Sequence, residues 1–402
     1  MEDRIATMTE ALAHGTDQLI PREDLIAKLK RHGGTGKPLR IKLGIDPSAP
    51  HLTLGHSVPL RKMRQFQELG HTGVLVVGDF TRLIGDPSGR ASTRALMSAE
   101  QIERNMETYR EQAFKILDPE RTEFRYNSEW LGKLTFADVI ELTAKYTVAR
   151  MLERDDFSKR YHAGEPISVL EFLYPLAQAY DSVAIEADVE LGGSDQLFNL
   201  LVGRDIQREY GQEPQVVMTV PLLIGLDGER AMSQTTGNYV GINEPANEMY
   251  GKILSIPDSL IAQYFDKLTD TALNEALESL IEESPRNAKR RLAQTLVATY
   301  HNRMAAEAAE AEFDRIHVRH ERPTEIPQVK IDRALLKDDG TIWVIDLLQA
   351  SGLVSSRGEA KRLIAQGGVQ INEQKATSKD LDLPFAPPVL VQVGKRAFVE
   401  IV

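Results

Sequence analysis

The strongest constraint on this chain's fold is a repeated pattern in its first half. Apolar runs end in loops of small polar residues, and amphipathic segments separate them. "LRIKLGID" is followed by "PSAPHLTLGHSVPLRKMRQFQELGH", a turn and then a helical pattern. "TGVLVVGDFT", rich in valine, reads as a strand buried on both faces and runs into "RLIGDPSGRAS". "ADVELGGSDQLFNLLVGRDIQREYG" reads as strand, glycine turn and helix, and "QVVMTVPLLIGLDGERAMSQTTGNYVG" as a strand ending in a polar loop. Strands that alternate with helices build an open parallel α/β sheet. Ligands of such sheets sit at the carboxyl ends of the strands. The loops after these strands are therefore expected to converge on one site.

The rest of the chain differs. The first forty residues look helical and polar; "RHGGTGKPLR" within them lacks the spacing of a phosphate loop, and Pro38 stands where a helix should begin. From about residue 246 the glycine-punctuated pattern gives way to helical sequence that runs to about residue 318. "ERPTEIPQV" reads as a linker. Near the C-terminus, "WVIDLLQASGL" and "SSRGEAKRLIAQGG" read as short helices, the second opened by a capping box of Ser356 and Glu359. "VQINE", "VLVQVG" and "AFVEIV" alternate as strands do. The expected division is 1–245 for the α/β sheet region, 246–322 for a helical domain, 323–339 for a linker and 340–402 for a small α+β domain.

Composition removes several classes of function. With no cysteine among 402 residues there is no disulfide, thiolate zinc site or iron–sulfur cluster. No run approaches the length of a membrane helix, and "MEDRIATMTE" lacks the features of a secretory signal. A cytoplasmic protein without a membrane partner is expected. A net charge of −11 weakly disfavours broad, non-specific binding to nucleic acid, and no DNA partner is expected, but it leaves room for local basic patches. Two stand out: Arg286, Lys289, Arg290 and Arg291 in one, and Arg357, Lys361 and Arg362 in the other. Each reads either as a solvated helix face or as an RNA contact.

Three stretches carry candidate chemistry. "HLTLGH" opens a helix directly after a strand; Gly55 would let a flat ligand approach the backbone, and His56 can donate to an anion or a ribose. In "GGSDQ", Gly193 precedes Asp195, a carboxylate able to accept both hydroxyls of a ribose or simply to cap a helix. In "ISVLEFLYPLAQAYDS", Glu171, Tyr174, Gln178 and Asp181 fall three, four and three residues apart and share one stripe of a helix. Val169, Leu170, Leu173, Leu176 and Ala177 occupy its other faces and are expected to pack inward.

Together with "IGDPSG", and in this order, the motifs resemble those of the class I aminoacyl-tRNA synthetases, most closely the bacterial tyrosyl enzymes. The resemblance runs nearly end to end and includes a C-terminal unit similar to the RNA-binding domain of ribosomal small-subunit protein four. It implies a Rossmann-like catalytic domain, a helical anticodon-binding domain, and activation of L-tyrosine with ATP and Mg2+ before transfer to tRNA(Tyr). It also implies a homodimer. Asp181 would accept the phenolic hydroxyl of tyrosine. Tyr174, Gln178 and Asp86 would hold its ammonium group with Gln196 near, and Lys42 occupies a position that faces the substrate in some relatives. Gly55, His56, Gly193, Asp195 and Asp46 fall on the nucleotide side, with Ser48 toward the phosphates. Tryptophanyl enzymes also use an aspartate on this helix, but "QAYD" and the C-terminal RNA-binding unit favour tyrosine.

The chain departs from the family on the phosphate side. Its first signature is "TLGH" instead of HIGH, with Thr53 for the first histidine. Its second is "AMSQT" instead of KMSKS, so Ala231 and Gln234, flanking Met232 and Ser233, replace both lysines. Two readings follow. In one, Arg90, Arg94 and Arg230 supply the missing charge and the chain is an active tyrosine–tRNA ligase. In the other, it is a paralogue that binds tyrosine or tRNA with little activation. An RNA-binding or regulatory protein built on the C-terminal unit is a third class.

Overall fold

The computed structural model describes residues 2–46, 51–85, 99–319, 321–324, 326–394 and 397–402. They form two compact units, Met1–Tyr300 and His301–Val402.

In the first unit, α1 (Glu2–Ala13), β1 (Gln18–Ile20) and α2 (Arg22–Thr35) precede β2 (Arg40–Ile45). α3 (Leu54–Glu68) links β2 to β3 (Thr72–Val77), and α4 (Ala99–Ala113) leads to β4 (Thr122–Tyr126). Next come α5 (Ser128–Leu131), α6 (Phe136–Ala144), α7 (Val148–Met151), α8 (Asp155–His162) and α9 (Val169–Ala184). β5 (Val189–Gly193), α10 (Leu197–Glu209) and β6 (Val216–Val220) complete the sheet region. α11 (Ala246–Ser255), α12 (Ile261–Leu268), α13 (Glu275–Glu283) and α14 (Pro285–Tyr300) close the unit.

The sheet order is β1-β6-β5-β2-β3-β4. Five strands are parallel and β1 pairs antiparallel with β6, so the sheet is mixed at one edge. β2 is the pivot: the chain proceeds to β3 on one side, while β5 and β6 lie on the other. This is the switch point at which a crevice opens in a doubly wound sheet. The central strands bury Ile41, Leu43, Val74, Val76, Val189, Leu191, Val216 and Val217 at 5% exposure or less, as apolar runs covered on both faces must. The parallel strands carry two opposed charges into this core, because Lys42 and Glu190 are neighbours across the β2–β5 ladder.

The second unit holds α15 (Arg303–His317), β7 (Gln328–Val329), β8 (Thr341–Trp343), α16 (Val344–Ala350) and α17 (Arg357–Ala365). β9 (Val369–Ile371), β10 (Gln374–Lys375), β11 (Asp382–Pro384), β12 (Val389–Val393) and β13 (Ala397–Ile401) follow. Its main sheet runs β10-β9-β12-β13-β7. The proline-punctuated segment contributes β7, which pairs with β13, and Val329, Ile331, Leu335 and Leu336 pack on the unit's core. Ser356 caps α17 by accepting the Glu359 N–H, but the Glu359 carboxylate bonds Ser355, so the reciprocal half of the expected capping box falls one residue earlier.

Candidate active site

A cavity of about 420 Å³ opens at the carboxyl ends of β2, β3, β5 and β6. It falls within the size range of small-ligand sites. Gly44, Ile45 and Asp46 line it from β2, Gly78 and Thr81 from the turn after β3, Gly192 to Gln196 in part from β5, and Val220 to Leu223 from β6. Loops after all four strands named from the sequence thus meet in one place.

α9 supplies the floor. Ser168 caps it and Glu171 returns the bond, with Glu171 also held bidentately by Arg160. The first carboxylate of the predicted stripe is therefore used to start the helix. The expected inward packing of the apolar faces fails at this end: Val169 is 78% exposed and Leu170 47%, whereas Leu176 and Ala177 are buried. Further along, Tyr174 donates its hydroxyl to Asp46 Oδ2 at 2.9 Å. Gly78 makes this possible, since a β-carbon there would lie 2.0 Å from Asp46 Oδ1. Gln178 accepts from Asn199 Nδ2 at 3.0 Å, and Asn199 also donates to Gln196 Oε1.

Asp181 is 4% exposed and lines the cavity. Trp130 Nε1 donates to its Oδ1 at 2.7 Å and Asn127 Nδ2 to its Oδ2 at 3.3 Å. Burial pushes the carboxyl up to about 7, against the lowering effects of the Lys42 charge and of these two donors. Each carboxylate oxygen takes one donor, so Asp181 keeps acceptor capacity for a hydroxyl.

Lys42 differs from its expected position. It does not line the cavity but lies fully buried beneath α9, with Nζ 2.8 Å from each of Glu190 Oε1, Gln178 O and Ser182 Oγ. All three ammonium protons have an acceptor. Glu190 in turn accepts from Gln178 Nε2 and Ser182 Oγ at 3.2 Å each, and from Gln215. A β-carbon at Gly203 on α10 would stand 2.5 Å from Gln215 Nε2, so only glycine leaves room for this network.

The opposite wall is built by the start of α3. Thr53 is its fully buried N-cap residue, and its backbone N–H donates to His56 Nδ1 at 3.2 Å, with Thr53 Oγ1 2.8 Å from the same nitrogen. Burial lowers the imidazole to about 4, so at neutral pH it is uncharged and Nε2 carries the proton. A β-carbon at Gly55 would meet Met232 only at 3.6 Å, an ordinary contact. Packing does not demand glycine there. Asp195 is exposed and lines the cavity, and a β-carbon at Gly193 would strike its carboxylate at 2.5 Å.

The altered second signature is a hydrogen-bonded loop. Asn238, 6% exposed, accepts from Ser233 N and Thr236 Oγ1 and donates to Asp227 Oδ2 at 2.9 Å. Gln234 donates to the His51 carbonyl. Ala231 and Met232 line the cavity, whereas Ser233 and Gln234 do not. Arg230, expected as a substitute cation, pairs at the surface with Asp227 Oδ2 at 2.8 Å and does not line the cavity. Among the described residues, three aspartates and no lysine or arginine line it. Ser48, Asp86, Arg90 and Arg94 lie outside the described residues.

The basic residues divide between the units. On α14, Arg286 and Arg291 are exposed, Arg290 is partly buried, and Lys289 is paired with Asp258 at 2.5 Å. In the second unit, the Arg357 guanidinium and the Lys361 ammonium each lie 5.8 Å from the centre of the Trp343 ring. Arg357 is also paired with Asp346, and Arg362 lies 4.0 Å from Glu359. The sequence reading missed Asn127, Trp130 and Glu190; nothing local to them signals that they meet α9.

Comparison with known proteins gives the family. The family described as tRNA synthetases class I (W and Y) matches residues 35–318, and the S4 domain matches 342–382. The chain belongs to the class I aminoacyl-tRNA synthetases, in the family of the tryptophanyl and tyrosyl enzymes. It is 50% identical over 406 residues to the tyrosine–tRNA ligase of Carboxydothermus hydrogenoformans, covering 100% of this chain and 98% of that protein. It is 52% identical to that of Thermotoga maritima, covering 95% and 94%. Within the family it stands with the bacterial tyrosine–tRNA ligases. A C-terminally truncated mitochondrial tyrosyl-tRNA synthetase of Coccidioides posadasii shares the fold, with a TM-score of 0.60 at 24% identity over 76% of this chain and 91% of that one.

Proposed function

We infer that this chain activates L-tyrosine with ATP to tyrosyl-adenylate and pyrophosphate, then transfers tyrosine to the 3'-terminal adenosine of tRNA(Tyr). The observation that carries the choice of amino acid is the Asp181 carboxylate, buried at the cavity wall with two neutral donors and a position left to accept. Tyrosine's ring would extend toward Asp181, with its ammonium group near Tyr174, Gln178 and Asp86. ATP would lie along the start of α3, with its base and ribose against Gly55 and His56 and its ribose hydroxyls on Asp195. The tyrosine carboxylate then attacks the α-phosphate, forming the acyl–phosphate bond as the bond to pyrophosphate breaks. No side chain need act as nucleophile; alignment and charge stabilisation carry the rate. Thr53 acts through His56, holding the ring so that Nε2–H faces the nucleotide side.

Charge on the leaving pyrophosphate is the open requirement. With Arg230 off the cavity wall, compensation is assigned to Arg90 and Arg94 and to the metal carried by ATP. Mg2+ is proposed to enter bound to the phosphates of ATP. Tyrosine-dependent exchange of labelled pyrophosphate into ATP tests the reading. The pure protein should support exchange, and absence of exchange would return it to the non-activating paralogue. Arg90→Ala and Arg94→Ala should depress the exchange rate by about 10²-fold while leaving the tyrosine KM nearly unchanged. Unaltered rates would remove the compensation argument.

The S4 domain and the exposed arginines of α14 are proposed to contact tRNA phosphates, with Trp343, Arg357 and Lys361 as one cluster. The apolar surface of Phe136, Ile140, Val148, Val169 and Leu170, 47–81% exposed on α6, α7 and the start of α9, is proposed as the face on which two copies meet. Phe136→Glu combined with Val169→Glu should halve the mass seen by light scattering; an unchanged mass excludes this face. Among the described residues no helix is long and apolar enough to cross a membrane, and a cytoplasmic location is proposed.

A further inference from the structure

Lys42 and Glu190 are 0% and 1% exposed and touch no cavity surface, yet they bond to both residues expected to grip tyrosine or to their immediate supports. Lys42 Nζ holds the Gln178 carbonyl and the Ser182 hydroxyl, three residues before and one residue after Asp181. This fastens to β2 the turn of α9 that carries the carboxylate. Glu190 holds the Gln178 side-chain amide, which fixes the orientation of its oxygen toward Asn199. One ion pair therefore underlies both ends of the amino-acid subsite.

The pair also sets the charge around Asp181. The charged groups acting on that carboxylate are Lys42 on β2, which favours its ionised form, and Glu190 on β5, which opposes it. From the segment beginning α5 it meets only the uncharged Asn127 and Trp130. Asp46, beyond the end of β2, bonds Tyr174 two turns of α9 away. We propose that Lys42 and Glu190 are a positioning pair for tyrosine recognition: they hold Gln178 and Asp181 in place, and the lysine charge keeps the Asp181 carboxylate able to accept the phenolic hydroxyl. The proposal rests on the reading that this cavity binds tyrosine. Neither residue touches the substrate, so both act through α9.

The test is the pH dependence of L-tyrosine affinity, measured by calorimetry on the full-length protein between about pH 5.5 and pH 8. In the wild type the dissociation constant should rise, by up to about tenfold per unit, as pH falls below neutrality, because a protonated carboxyl offers only a neutral and weaker acceptor. Lys42→Met, which removes the favourable charge, should move the onset of this loss upward by about one unit. Glu190→Gln, which keeps the shape and removes the unfavourable charge, should move it downward by about as much. Displacements of opposite sign mark an electrostatic role, since merely loosened packing would weaken binding without moving the onset. If Lys42→Met does not fold, Glu190→Gln decides alone: a downward onset supports the pair and an unmoved onset overturns it. Wild-type protein that binds tyrosine while both variants keep its onset also overturns it. A wild type that does not bind tyrosine at all overturns the underlying reading of the cavity as well.

Discussion

Replacing Asp181 with alanine is expected to lower kcat/KM for tyrosine in pyrophosphate exchange by about 10²-fold, the equivalent of one hydrogen bond to a charged acceptor worth about 3 kcal/mol. Activity with phenylalanine should change little or rise, because its ring no longer faces a desolvated carboxylate without a partner. The ratio between the two amino acids is thus the sensitive readout. Wild-type discrimination of about 10⁵ is the known behaviour of tyrosyl enzymes rather than a deduction from these distances. A variant that keeps the wild-type ratio would show that another group reads the hydroxyl. The same burial makes Asp181 costly to the empty enzyme. With its folded value raised to about 7, the carboxyl contributes stability below about pH 4 that is lost as pH rises toward 7. Tyrosine, which favours the ionised form, offsets that loss when it binds.

The largest effect on stability is expected at Glu190. Truncation to alanine leaves the Lys42 ammonium, 0% exposed, without its counter-ion, and removing one partner of a buried pair costs about 3–5 kcal/mol. The first unit should lose about 10 °C in Tm, followed by circular dichroism at neutral pH. Combining Lys42→Met with Glu190→Leu should recover part of that loss, because two apolar side chains leave no stranded charge. A loss below about 3 °C for Glu190→Ala would mean that solvent reaches the lysine, contrary to its burial.

Those two expectations differ in how far the sequence alone could lead to them. The stripe of Tyr174, Gln178 and Asp181 was legible because a helix converts spacing into a shared face. β3 and β6 were legible because strands covered on both faces are continuously apolar, and β2 and β5 because a turn of small polar residues and a helical pattern follow each. β1 has only three residues, and every residue of β4 is half-buried, so neither edge strand carries such a pattern. Asn127 and Trp130 reach Asp181 across about fifty residues of chain, a proximity set by packing and not by periodicity. Lys42 is expected to face the substrate from its place in a motif, but its bonds to Glu190, the Gln178 carbonyl and Ser182 hold it beneath α9 instead. Glu190 stands as one charge among apolar neighbours in "ADVELGG", and nothing in that stretch points to its partner on β2.

The ladder partnership of Lys42 with Glu190 also bears on how the sheet assembles. β2 and β5 are separated by more than a hundred residues, and valine and leucine side chains would tolerate several alignments between them. A strand that docks one residue out of step sends its charge to the other face of the sheet and strands its partner in an apolar interior. Mis-docked forms are penalised by several kcal/mol, whereas the correct one satisfies both ions. A single pair of opposite charges thus acts during folding as a checkpoint that an all-aliphatic centre could not supply.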